Sequence, residues 1–355
     1  GNVGAGVAIA NDSTAPPVGT ASIAPAASLA LTVPSAYLSS FTQILGNAIG
    51  VAVGGAALPN GLGVSLNESS DNLVQGNTIS ANRGDGLTLQ SDAGPTRPSS
   101  RNWIQDNFIG TTSAGAAGLG NGGRGVVLNR DAASGNTLYG NVVAGNAGEG
   151  VAILGDGNVL AGNVIGLNPA GTAALPNGVG VLIADSSYNV LQHNVISGNG
   201  NGIVIDQQAG LVATGNALYG NLIGTDPLGA SAFPNGTGVL IVGATHTVVG
   251  GLAPGEGNLI SGNVWAGVAV DNQTDASAVY LSSFTQILGN AIGVAVGGAA
   301  LPNGAGVSRD ESSDNVVQGN TIAANRGDGV AVVSYDQLRP SSRNWIQGNF
   351  IGTTA

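Results

Sequence analysis

The sequence contains no cysteine, no methionine and no lysine, so all nine of its basic residues are arginines. Without cysteine there is no disulfide framework, no thiol nucleophile and no thiolate metal site. Charged residues make up only 8% of the chain, where about 25% is usual. Aromatic residues are also scarce, at 4%, so a core has to be built from small aliphatic side chains. The net charge of −11 leaves nothing to neutralise a row of phosphates and argues against a nucleic-acid partner. No apolar run approaches the ~18 residues of a membrane span, and no signal-peptide pattern is visible. The first residue is glycine rather than methionine, which points to a piece of a longer product.

What the chain does hold is glycine, 61 of 355 residues, about 17% against a usual ~7%. It is also 43% apolar, too apolar for a disordered chain. The arrangement is repetitive on two scales. A short unit reads Asn-x-apolar-x-Gly-Asn-x-apolar, as in Asn72–Ile79, Asn136–Val143, Asn158–Ile165, Asn189–Ile196, Asn216–Ile223, Asn315–Ile322 and Asn344–Ile351. A second run such as Gly178–Ile183 or Gly236–Ile241 follows, with apolar residues alternating at period two and Gly, Asn or Asp at its end. That is strand chemistry. A unit this short cannot enclose its own core and must stack on its neighbours. The economical solution is an all-β fold, a parallel β-helix of roughly a dozen coils about 55–60 Å long on the ordinary strand spacing.

The longer repeat is literal. Tyr37–Gly61 recurs letter for letter as Tyr280–Gly304, an offset of 243 residues, and the copy continues with small changes, so that 37–112 is duplicated as 280–354. The expectation is one solenoid over residues 1–355, a window on a longer array. Residues 13–36, rich in Ala, Pro, Ser and Thr, read as a loop thrown out from it.

Within a coil the apolar positions, Leu73 with Ile79 or Leu160 with Ile165, are expected to point inward. The second asparagine of each unit recurs in one place: Asn77, Asn107, Asn141, Asn163, Asn194, Asn221, Asn263, Asn320 and Asn349. Stacked amides can donate to one another as an internal ladder, each bond contributing about 0.5–1.5 kcal/mol, with the preceding glycine permitting a turn at positive φ. The Leu-Pro-Asn-Gly segments read as loop closures. Their asparagines, Asn60, Asn177 and Asn303, with Asn235 of the variant Ser231–Gly236, are expected to be exposed and prone to deamidation.

These units resemble the right-handed parallel β-helix repeats of the pectate-lyase-like superfamily. Asn221–Pro227 and Gly257–Asn263 further resemble repeats of long bacterial secreted or surface proteins. The resemblance implies the fold, and an extracellular or cell-surface location. It is weak for activity, because this fold hosts lyases, hydrolases, adhesins, phage spikes and fibres.

No catalytic cluster is visible, and the chain reads as a non-enzyme. Hydrolysis on this fold needs paired carboxylates and elimination needs acidic calcium ligands with a base; the arginines sit in loops (Arg97, Arg101, Arg339, Arg343) and the two histidines, His193 and His246, are isolated. No cofactor is implied. Aspartates recur after the second strand, at Asp131, Asp156, Asp185, Asp206, Asp271 and Asp310; as a stacked column they would make Asp185, Asp206 and Asp271 weak calcium candidates, though turn aspartates are commonplace. Trp103 and Phe108, with their copies Trp345 and Phe350, fall at outward positions and are candidates for contact with a glycan or protein, unless the loops Ser91–Arg101 and Ser334–Arg343 fold over them. Two functions follow. The first is a structural segment of an extracellular fibre, sheath or surface array, self-associating into filaments through its open coil ends. The alternative is a polysaccharide-binding adhesin, lyase or hydrolase.

Overall fold

The computed structural model describes residues 5–12, 33–35, 39–52, 54–92, 96–130, 133–207, 211, 213–274, 279–280, 282–334 and 341–352. Most of the 13–36 loop lies outside them. Backbone contacts divide the chain into two compact units, Gly1–Gly178 and Val179–Ala355.

Each unit winds its chain through three parallel sheets, one strand per sheet per coil. In the first unit the long strands run Ala5–Asp12, Leu62–Asn67, Leu87–Gln90, Val126–Leu128 and Val151–Ile153, each paired in parallel with the next. Three-residue strands (Gln43–Leu45, Leu73–Gln75, Trp103–Gln105, Thr137–Tyr139, Val159–Ala161) form the second sheet. Two-residue strands (Ala48–Ile49, Thr78–Ile79, Phe108–Ile109, Val142–Val143, Val164–Ile165) form the third. The second unit repeats this with long strands from Val179–Ala184 to Val330–Val333, and adds one antiparallel hairpin, Gln273–Thr274 with Val279–Tyr280.

Side chains alternate across a strand, so each short strand sends one residue inward. In the first unit these are Ile44, Val74, Ile104, Leu138 and Leu160 in the second sheet, and Ile49, Ile79, Ile109, Val143 and Ile165 in the third, all buried. Val74 therefore takes the inward place expected of Leu73, which is only half-buried on the outer face. Stacking identical positions lets small aliphatics fill the interior to crystal-like density.

Each coil turns at three corners; an asparagine lies at the second and third, and the first carries either an asparagine or a threonine (Thr42, Thr247, Thr285). At the second corner Asn47, Asn77, Asn107, Asn141 and Asn163 hydrogen-bond in sequence, and in the second unit so do Asn194, Asn221, Asn258, Asn290, Asn320 and Asn349. Asn258, not Asn263, is the member of this column. The segment Gly251–Gly257 replaces a single turn residue there and shifts the frame, while Asn258 and Asn263 keep the five-residue spacing of a genuine pair. Asn263 belongs to the third corner, bonded between Asn235 and Asn303. The first corner carries Asn72, Asn102, Asn136 and Asn158.

The third column overturns the deamidation expectation. It runs Asn60, Asn82, Asn121, Asn146, Asn177, and in the second unit Asn199, Asn235, Asn263, Asn303, Asn325. Asn60, Asn177, Asn235 and Asn303 are thus buried and bonded, and the Pro-Asn-Gly segments close a coil by turning an amide inward.

Candidate functional site

The corners that hide asparagines also push other side chains outward. The residue before the second-corner asparagine is usually glycine at positive φ, such as Gly76 at 66°; His193 takes that place at 53° and lies over Gly220 of the next coil. The residue before the first-corner asparagine or threonine is also left-handed. Phe41, Asp71, Arg101, Tyr188, His246, Phe284, Asp314 and Arg343 all have positive φ there, a conformation rare for non-glycine residues. They form outward columns: His246 stacks on Phe284 with ring centroids 4.9 Å apart, and Arg101 grips Asp71 through Nε (2.8 Å) and Nη2 (2.6 Å). The duplicated pair Arg343–Asp314 repeats that fork at 2.6 Å and 2.6 Å. The two arginines and Asp314 keep their charges as a result: each guanidinium is pushed up by its carboxylate, and Asp314 is held below its ordinary value by the hydrogen bond from Arg343. Of the other arginines, Arg97 pairs with Glu68 and Arg124 with Glu149.

The outward aromatic candidates are distributed over two sheets. Trp103 lies on a three-residue strand and is 50% exposed; Tyr139, two residues past the partner of Trp103 on the next strand, is 51% exposed. Phe108 is half-buried on the neighbouring two-residue strand. Trp345 and Phe350 occupy the copied positions, 64% and 48% exposed. The loop segments 93–95 and 335–340, which fall within the loops expected to cover them, lie outside the described residues. Tyr139 and the exposed Trp265 escaped sequence reasoning, although the tyrosine shares its register position with Gln105.

The aspartates do not form one column. Asp206 pairs in register with Val242, and Val242 with Asp271, so a valine separates two of the calcium candidates. Asp185 lies one residue past the pair Ala184–Asp206, and Asp131 lies outside the described residues. Among the described residues no three His, Asp or Glu side chains gather as a metal-binding group. What the structure does bring together is Asp271 and Asp310, direct register partners on adjacent strands. Burial, and then the charge of Asp310, push the Asp271 carboxyl up to about 6; burial also raises Asp310. Next to Asp310, Arg309 points the other way. Its guanidinium is wholly buried in register with Val270 and Val332, with no hydrogen-bond partner on any nitrogen, and desolvation lowers it to about 10.

The second unit also carries a groove of about 610 Å³ on the outer face of its two-residue strands. Leu222, Leu259, Ala291 and Thr321, successive register partners, are its floor. Turn glycines Gly220, Gly257 and Gly289 line it, together with the loop Val294–Gly298. That loop is braced by a Val294–Ala300 bridge and by Val296 N–H donating to Gly229 O (2.9 Å) on the neighbouring loop. Phe350 continues the floor as the partner of Thr321.

A family model for the right-handed β-helix region matches residues 43–168. The chain is a right-handed parallel β-helix. A second model, described as periplasmic copper-binding protein (NosD), matches residues 119–267; no curated protein matches. Among solved structures the β-helix is similar to the A-module of Azotobacter vinelandii mannuronan C-5 epimerase AlgE6, at 16% identity and a TM-score of 0.52, covering 99% of this chain and 91% of that one. Weaker likenesses are to the periplasmic alginate epimerase AlgG (12%, TM-score 0.43, 87% and 77% covered) and the Dettilon tailspike protein (16%, TM-score 0.43, 87% and 60%). The reading of the chain as a non-enzyme is corrected here. The AlgE6 module is an enzyme on this same architecture, so neither the fold nor its repetitive scaffold argues against catalysis. No helix among the described residues is long and apolar enough to cross a membrane.

Proposed function

We propose that this chain is a polysaccharide-binding β-helix that works outside the cytoplasm. The observation that carries the reading is the pair Trp103 and Tyr139, both half exposed on neighbouring strands of one flat sheet. Large aromatic side chains exposed together in a chain so poor in them mark a contact surface, and their rings offer apolar faces with polar edges suited to sugar rings. The fold likeness to a mannuronan epimerase module and the periplasmic description of the matched family are in keeping with it. Glycan-array binding by the intact chain, lost in Trp103→Ala and Tyr139→Ala, is the expected result; full binding in both variants would refute it.

Modification of the bound polysaccharide is favoured by Asp271 and Asp310. A carboxyl that titrates near 6 beside a second carboxyl is suited to general acid–base work. Turnover of a bound glycan, abolished in Asp271→Asn with binding retained, tests this role. Copper, named in the description of the matched family, does not fit: the chain has no soft sulfur donor, and its two histidines sit at different corners, one over Gly220 and one against Phe284.

The fibre reading is supported by the literal repeat of Tyr37–Gly61 as Tyr280–Gly304, which would present equivalent surfaces along an assembly. Electron microscopy of the native material tests it: continuous filaments favour a fibre and discrete particles reject it.

A further inference from the structure

We propose that the groove of the second unit is a separate glycan site and that it takes a neutral polysaccharide, an inference that rests on the polysaccharide-binding reading above. The argument is one of charge. Its floor and walls, from Leu222 through Thr321 to the loop Val294–Gly298, contain no ionisable side chain, and the chain around them carries a net charge of −11. An acidic polysaccharide brings one negative charge with each uronate and needs arginine or lysine to meet it. There is no lysine. Among the arginines of this unit, Arg309 is buried in the interior, Arg343 is held by Asp314 through two hydrogen bonds, Arg326 lies past the next corner of its coil, and Arg339 is outside the described residues.

What the groove offers instead suits uncharged sugar. Leu222 and Ala291, with the largely covered Leu259 between them, present aliphatic surface on strands spaced about 4.8 Å apart, against which the C–H face of a pyranose can lie. Thr321 supplies a hydroxyl, and the turn glycines bring backbone close to the ligand without side chains in the way. Its volume lies in the usual range for small-ligand sites, about 300–1,000 Å³, and the braced loop keeps the wall in place before a ligand arrives.

The test is isothermal titration and saturation-transfer NMR on the intact chain. The probes are neutral oligomers of β-1,4-linked glucose and mannose and acidic oligomers of mannuronate and galacturonate. The expected result is binding of a neutral oligomer that is insensitive to salt and falls at least tenfold in Ala291→Arg, which fills the floor. Val296→Asp, on the exposed loop wall, serves as a second variant that cannot disturb the interior. Neutral binding that survives both variants, or that is lost in Trp103→Ala instead, overturns the groove as its site. Salt-sensitive binding of the uronate oligomers overturns the neutral assignment and leaves the polysaccharide reading standing. Binding of no oligomer of either kind overturns both.

Discussion

The side-chain amide of Asn77 donates to Oδ1 of Asn107 on the next coil at 2.9 Å, and the backbone N–H of Asn77 donates to that same oxygen, also at 2.9 Å. Asn107 in turn donates to Asn141 Oδ1 (2.9 Å) and to the carbonyl of Val74 (2.8 Å). One buried residue therefore satisfies two donors and two acceptors on the two coils that flank it. Asn107→Ala takes this partner from the backbone N–H of Asn77 and the carbonyl of Val74, whereas the Asn77 amide keeps Ile44 O and Asn141 Oδ1 keeps the backbone N–H of residue 107; each orphaned group costs about 1–3 kcal/mol. The expected loss is roughly 2–4 kcal/mol after partial relaxation, measured by denaturant unfolding, and Asn107→Asp is expected to be no better because it keeps the acceptor but brings a charge and no donor against Asn141.

Arg309 makes the opposite prediction. It interrupts an inward aliphatic column that runs Ile183, Ile205, Ile241, Val270 on the preceding strands, and Leu66 holds the same place in the duplicated segment of the first unit. A buried cation without partners is paid for by the rest of the fold. Arg309→Leu should raise the melting temperature, with a gain of at least about 2 kcal/mol. A fall would mean that the guanidinium meets an anion in solution.

The Asp271–Asp310 pair sets a pH dependence whose sign follows from its direction. The folded chain holds a proton on Asp271 up to about pH 6, whereas the ordinary value is 3.8. Between those values the folded state binds more protons than the unfolded one, so stability falls as pH rises through the window and levels off above it. Asp271→Asn should flatten the slope and stabilise the chain at neutral pH by roughly 1–2 kcal/mol, discounted for the solvent that reaches the carboxyl. Thermal melts of both forms from pH 4 to 7 check it.

Deamidation is expected to report unfolding rather than ageing. Asn60, Asn177, Asn235 and Asn303 precede glycine, but each is buried; Asn60, Asn235 and Asn303 donate to the next asparagine of their column, and Asn177 donates to the carbonyl of Val143. Peptide mass spectrometry should find them intact in the folded chain at neutral pH, and modified quickly once denaturant is added.

The coil fold was legible because its physics is local. A strand of three residues between glycine and asparagine corners states its own inward and outward positions, and the five-residue spacing of the asparagines states the ladders. The misplacement of Asn263 marks the limit of that legibility: the spacing is identical at consecutive corners, so only the stacking of Asn258 between Asn221 and Asn290 tells which corner it occupies. The Pro-Asn-Gly asparagines failed for a related reason, since a turn motif describes the backbone and does not say whether the amide faces water or the interior.

The candidate sites lay further from the text. Sequence alone determined that this chain stacks, that it carries no sulfur ligand and no lysine, and that Trp103 and Trp345 fall at outward positions. Tertiary structure decided which residues meet across coils. Asp271 and Asp310 are 39 residues apart in the chain yet direct neighbours, while Asp206 is held away by a valine. Parallel pairing places residues by coil register, and register depends on the lengths of the loops between strands, which no repeat motif records.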